Sequence, residues 1–276
     1  MKSRASLILG LGVLSLVTAA ALCAPVLAPY SPTEQNLEQD LRPRSPEHLL
    51  GTDKLGRDVL SRLVYGSRIS ILVGVSSVSI SLVVGFLIGA LAGYFGGWVD
   101  EILMRSVDIL MAFPGILLAI ALTAILGPGL NHVVLALCLI GWTSYARLTR
   151  AEILVLREKD FIHAAHALGG RPARIVRVHL LPNLFSPLIV QATFSMSAAI
   201  LAEGALSFLG LGTQPPAPSW GNMLNEGRQF LLVAPHLTTF PGIALVATVF
   251  ALNLVGDALT DLCDPGDKSE FAGRGS

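Results

Sequence analysis

Asp160-Phe161-Ile162-His163-Ala164-Ala165-His166-Ala167-Leu168-Gly169-Gly170-Arg171-Pro172, continued through Ala173 to Leu180-Leu181-Pro182, is the one sizeable polar island between two long apolar segments on its side of the chain. Ala164, Ala165, Ala167 and Leu168 favour a helix, Gly169-Gly170 end it, and Pro172 suits the first turn of another, where its missing N–H has no partner to lose. The second helix then runs through Ile175, Val176 and Val178, with Arg174 and Arg177 among them, and is expected to close at Pro182. A helix–turn–helix of this size holds no core by itself. It has to rest on the apolar segments beside it, which leaves its outer face for a partner.

Those segments set the class of the protein. Of 276 residues, 53% are hydrophobic and 14% charged, with a mean hydropathy of +0.66; soluble domains carry about 25% charged residues. The chain therefore reads as an all-α polytopic membrane protein. Its net charge is zero, so nothing in the bulk charge favours nucleic acid as a partner. Cys23, Cys138 and Cys263 imply neither a disulfide framework nor the Cys/His spacing of a zinc site.

Lys2 and Arg4 precede an apolar run from Ala5 to about Leu27, longer than the ~7–15 residues of a secretory signal core and close to the ~20 that span a bilayer. It is read as an uncleaved first membrane helix rather than a signal peptide. Pro25, Pro29 and Pro32 end it, and a polar segment of mixed charge runs to about Arg68. Further apolar stretches lie at about 69–93, 106–126, 130–146, 184–209 and 238–260, which predicts six spans. Gly85, Gly89 and Gly93 recur at a spacing that lets membrane helices approach closely. Residues 96–101, with Trp98, are expected to make a short inside turn, and Asn222–Arg228 a short surface helix within an outside segment, 210–237. The loop 147–182 has a basic excess, which places it inside, and counting spans from the basic N-terminus gives the same answer. Both termini, including a tail at 266–276, are then cytosolic.

The island itself resembles the EAA loop of importer-type ABC transporter permeases, whose pattern is Glu-Ala-Ala, three residues, Gly, nine residues, Ile, any residue, Leu-Pro. Ala164-Ala165, Gly169 and Leu181-Pro182 fit that frame, while His163 stands where Glu is usual and His179 where Ile is usual. Leu50-Gly51-Thr52-Asp53-Lys54-Leu55-Gly56-Arg57-Asp58, continued by Leu60-Ser61-Arg62-Leu63, resembles the segment before the second helix in the dipeptide, oligopeptide and nickel branch of that family. Ser207-Phe208-Leu209-Gly210-Leu211-Gly212-Thr213-Gln214-Pro215, continued through Gly221, resembles another segment of the same branch, in its C-type subunit. The resemblance runs from about Leu49 to Pro265. It implies a permease core at 69–265 after an N-terminal region at 1–68, with a coupling helix–turn–helix between the fourth and fifth spans. His163, Ala164, Ala165, His166, Gly169, Arg171, His179, Leu181 and Pro182 would then meet an ATPase.

The resemblance further implies an importer for di- or oligopeptides, glutathione or nickel. Nothing in the chain matches Gly-x-x-x-x-Gly-Lys-Ser/Thr; at 50–58 the Lys does not follow a Gly. This chain is thus expected to be no enzyme and to bind no cofactor, ATP and Mg being held by separate ATPase subunits. A second permease subunit, an external solute-binding protein and membrane lipid complete the expected partners. A secondary transporter or channel is the alternative, and it would need intramembrane ionisable groups. Glu203 is the clearest of these, with Ser207 one turn on as a second pathway candidate, though Glu203 can equally pair within the bundle. A membrane-embedded enzyme would need a His/Asp/Glu cluster, and only His163 and His166, at i and i+3, come close; they read better as partner contacts than as a metal site.

Overall fold

The computed structural model describes residues 2–167, 169 and 172–263. Among them there is no strand, only one antiparallel bridge between Thr52 and Asp58. Five helices are long and apolar enough to cross a membrane, and there are six spans if one bent pair counts as a single crossing.

The first helix, α1 (Lys2–Leu22), is followed by the short α2 (Ala24–Leu27), with Pro25 in its first turn. A segment without long helices then leads to α3 (Val59–Phe95), 37 residues long. This helix begins some ten residues before the apolar stretch does. Asp58 caps it, accepting from Ser61 N–H at 2.7 Å and from Ser61 Oγ at 2.7 Å, so one orphan donor of the first turn is satisfied. The polar residues that made 59–68 look like loop are therefore helical.

At Gly96, with φ +65°, the chain turns directly into α4 (Gly97–Met111). The expected inside turn at 96–101 is thus confined to one glycine, and Trp98 through Glu101 are helical. Helix α5 (Gly115–Leu126) follows at an angle of 83° to α4. The break falls at Ala112-Phe113-Pro114, because proline has no N–H for the helix ladder and disfavours helical backbone at the residue before it. The apolar stretch at 106–126 is consequently not one continuous helix. Two ion pairs tie α4 to the following helix, α6 (Leu130–Arg157): Arg150 with Asp100, and Arg147 Nη2 with Asp108 Oδ1 at 3.5 Å.

Helices α3 and α6 run side by side in the same direction, and their contact is built on the predicted glycines. A methyl group at Gly85 would sit 2.5 Å from Tyr145 Cβ, one at Gly89 2.8 Å from Thr149 Cβ, and one at Gly93 3.0 Å from Ile153 Cβ. In lipid, where apolar surface gains little by leaving the solvent, such close backbone approach is what holds helices together.

After α6 come α7 (Asp160–Ala167) and α8 (Pro172–Ile175). A π-helical turn over Val176–Leu180 then leads straight into α9 (Leu181–Phe208). Contrary to that expectation Pro182 does not close a helix but sits in the first turn of α9, directly after the π-helical turn. Helix α10 (Trp220–Gly227) and α11 (His236–Cys263) complete the bundle. Helix α10 is not a surface helix. Trp220 is buried, its indole N–H donating to Leu63 O at 2.9 Å, and Gly221 lies so close to α9 that a methyl group there would be 2.8 Å from Gly204 Cα. Helix α1 rests on α11, with a methyl at Gly10 falling 2.8 Å from Val255 Cγ2, and Arg68 Nε donates to Ala21 O at 2.6 Å.

Candidate functional site

One end of the bundle carries the helix pair α7 and α8. Gly169 has φ +76°, a left-handed conformation natural to glycine after a helix, so the predicted break is where it was expected. Ile162, Ile175 and Leu180 are buried in one cluster with Tyr145 and Ile153 of α6 and with Leu184 and Leu188 of α9. That cluster turns one side of the pair into the bundle. Ala164, Arg174, Arg177, Leu181 and Pro182 are exposed. His179 is half-buried, its ring 6.5 Å from that of Phe161, and its carbonyl accepts from Asn183 Nδ2 at 2.7 Å. Arg171 and the side chains of His163, Ala165 and His166 lie outside the described residues; the backbone of the last three belongs to α7.

Above this cluster a cleft of about 390 Å³ opens between α3, α5, α6 and α9. Its polar lining comes from Ser77, Ser81, Ser144, Tyr145, Gln191 and Ser195, and the rest is apolar or glycine. Tyr145 belongs both to the cleft and to the cluster that holds α7 and α8. No hydropathy pattern marks the cleft residues, because they come from four helices. Their one shared feature in the sequence is small or hydroxyl-bearing side chains in otherwise aliphatic helices.

Glu203 and Ser207 are together, but elsewhere. Neither lines the cleft. Glu203 is fully buried; Ser207 Oγ donates to its Oε1 at 2.6 Å and accepts from Thr213 N–H at 3.1 Å. Ser219 Oγ accepts from Asn222 N–H at 3.2 Å and so caps α10. The arrangement fastens the 210–219 segment to the end of α9. Asp257 is exposed near the end of α11.

A buried ionic network went unseen in the sequence. Arg57 Nε donates to Asp53 Oδ2 at 2.7 Å and Arg57 Nη2 to Glu226 Oε2 at 2.7 Å, while Arg62 Nη1 reaches Glu226 Oε2 at 2.8 Å and also pairs with Asp53. Burial pushes the Asp53 carboxyl upward, but Arg62, Arg57 and the backbone N–H groups of Leu55 and Arg57 outweigh it and hold its pKa below the usual value. His48 bridges Asp58 Oδ1 at 2.9 Å and Gln39 Oε1 at 2.8 Å, and His236 Nε2 lies 3.2 Å from Thr52 O. These contacts lock the segment before α3 onto α10 and α11, at the end of the bundle opposite α7.

Comparison with known proteins supplies the context. Residues 85–267 match the family described as binding-protein-dependent transport system inner membrane component, and residues 2–46 match the N-terminal TM domain of oligopeptide transport permease C. The second match extends the likeness to residues before Leu49. The chain is 44% identical over 269 residues to a dipeptide transport system permease protein, DppC, of Alkalihalophilus pseudofirmus, covering 98% of this chain and 88% of that one. It is 46% identical over 262 residues to a di/tripeptide transport system permease protein of Pseudomonas aeruginosa, covering 93% and 86%. With a glutathione transport system permease protein, GsiD, of Pectobacterium atrosepticum the identity is 44% over 262 residues, covering 94% and 86%. Among solved structures, an inward-facing form of the MetNI methionine ABC transporter superposes with a TM-score of 0.59 at 21% identity, covering 73% of this chain and 96% of that one, a likeness of fold alone.

Proposed function

We propose that this chain, which belongs to the family of binding-protein-dependent transport system inner membrane components, forms half of a pathway that imports di- and oligopeptides. As a multi-pass inner-membrane permease of an ABC importer it is not itself catalytic. ATP hydrolysis belongs to a separate subunit, and a solute-binding protein delivers the cargo. Peptides are preferred over nickel because the similar permeases above are named for dipeptides, di/tripeptides and glutathione.

Beyond that, a second, related permease subunit faces the open side of the cleft, and the ATPase docks on the 160–182 pair. That end of the bundle then faces the cytosol together with both termini. The observation that carries this reading is the position of Tyr145, which lines the cleft and sits in the cluster that anchors Ile162 and Ile175. Closure of the ATPase pair would move α7 and α8 as a lever, and the shared cluster would pass the motion to the cleft wall, so that two states of the bundle alternate.

The complete transporter, reconstituted in proteoliposomes with its ATPase and binding protein, tests this. Labelled Ala-Ala should accumulate only with ATP. Uptake driven by a proton gradient without ATP would favour a secondary transporter, and ATP-dependent uptake of Ni²⁺ but not of Ala-Ala would remove the peptide assignment.

A further inference from the structure

We propose that the cleft between α3, α5, α6 and α9 is a solute subsite that binds the uncharged amide groups of a peptide backbone. The inference rests on the peptide reading above and adds the chemistry by which this subunit recognises its cargo.

Two observations carry it. The volume, about 390 Å³, falls within the ~300–1,000 Å³ of small-molecule sites, which are mostly apolar with a few convergent polar groups. Those polar groups are here hydroxyls and one carboxamide: Ser77, Ser81, Ser144, Tyr145, Gln191 and Ser195. Each can donate as well as accept, which suits the alternating C=O and N–H of a peptide. Secondly, no Asp, Glu, Lys, Arg or His among the described residues lines the cleft. A charged group held there would lose water without gaining a counter-charge, and a bare divalent cation would find no carboxylate, imidazole or thiolate to ligate it.

Gln191 offers the sharpest test, since its Nε2 reaches Ser195 Oγ at 3.3 Å on the cleft wall and Glu is nearly its isostere. The reconstituted transporter is compared as parent, Gln191→Glu and Gln191→Lys, with uptake of Ala-Ala, Lys-Ala and Asp-Ala each expressed as the variant-to-parent ratio. Any preference of the binding protein cancels in that ratio. The expected result is that Gln191→Glu favours Lys-Ala over Asp-Ala by about tenfold, that Gln191→Lys reverses the order, and that Ala-Ala falls between them. An opposite pair of shifts cannot come from a merely damaged fold. Equal ratios for the three peptides in both variants, with binding-protein-stimulated ATP hydrolysis retained, would overturn the subsite while leaving the peptide function intact. Failure of the parent to take up any of the three would overturn the peptide function itself, and the subsite with it. If either Gln191 variant does not co-purify with its partners, Ser144→Asp and Ser144→Lys carry the same test on the facing helix.

Discussion

Arg57 Nη2 lies 2.7 Å from Glu226 Oε2, joining residues 169 positions apart. With Arg62 and Asp53 it makes a two-by-two ionic network whose arginines are 2% and 1% exposed and whose Glu226 is the most open member at 15%. Removing one partner from a buried pair leaves a charge uncompensated, which costs about 3–5 kcal/mol. Asp53→Asn should approach that figure, because Asp53 also accepts from Leu55 and Arg57 N–H. Glu226→Gln should cost less, about 1.5–3 kcal/mol, since both arginines keep Asp53. Thermal unfolding of the purified permease in detergent should rank parent, Glu226→Gln and Asp53→Asn in that order. An Asp53→Asn protein as stable as the parent would mean that the network contributes nothing.

The same carboxylate sets a pH dependence of definite sign. Asp53 is held below its ordinary pKa in the folded state, chiefly by Arg62 and Arg57 acting against burial. The folded protein therefore binds the Asp53 proton less readily than the unfolded chain does. Its contribution is fully present above the unfolded value of about 3.9 and is lost as pH falls through the lower folded one. Between pH 7 and 5 the stability difference between parent and Asp53→Asn should stay constant, and it should shrink only below about pH 4. A difference that already shrinks between pH 7 and 6 would assign the effect to another group.

Close approach of α3 and α6 makes a steric prediction. A side chain at Gly89 meets Ala146 O and Thr149 Cβ, whereas one at Gly12 on α1 meets nothing within 4 Å. Overpacking costs about 1–3 kcal/mol. Gly89→Val should lower both the yield of assembled permease and its unfolding temperature, and Gly12→Val should leave both near the parent. Comparable loss in the two variants would show that helix composition, not the α3–α6 contact, governs the outcome.

What the sequence made legible was whatever depends on neighbours in the chain. Gly85, Gly89 and Gly93 declared a packing face because their spacing alone fits one side of a helix, and Gly169 declared a break because few other residues take its φ of +76° so readily. The start of α3 was missed for the opposite reason. Arg57, Asp58 and Arg62 read as a loop in water, yet both arginines pair with Asp53 and with a glutamate far along the chain, and Asp58 is hydrogen-bonded to His48. The bend at Pro114 was averaged away because hydropathy is continuous across it. Burial of Trp220 depends on Leu63 O and the absent side chain of Gly66, and the cleft on four helices at once. No local signal reports such meetings.

At Gly169 the restriction is conformational. Among the described residues a Cβ there would meet nothing within 4 Å, but φ is +76°. Asn, which enters the left-handed region at modest cost, should be tolerated, whereas a β-branched residue should displace the turn between α7 and α8. Gly169→Val is therefore expected to insert and co-purify at parental levels yet lose ATP-dependent Ala-Ala uptake about tenfold or more, while Gly169→Asn retains most of it. Uptake by Gly169→Val equal to the parent would remove this turn from the coupling path.

Glu203 decides between a pathway group and a structural pin, and its surroundings favour the pin. It is absent from the cleft lining, it is fully buried, and Ser207 relays it to Thr213 N–H in the segment that leads to α10. Glutamine keeps a carbonyl oxygen for the Ser207 donor, so Glu203→Gln should transport Ala-Ala within about twofold of the parent. Leucine strands the hydroxyl of Ser207, at a cost of about 1–3 kcal/mol. Glu203→Leu should therefore lose assembled permease, and any molecules that do assemble should still couple ATP hydrolysis to uptake. The 210–219 segment should become more open to proteolysis in Glu203→Leu than in the parent, a signature that a pathway role would not produce. If Glu203→Gln instead assembles normally, hydrolyses ATP and fails to move Ala-Ala, the carboxylate acts on the cargo or on a proton, and the pin has to be abandoned.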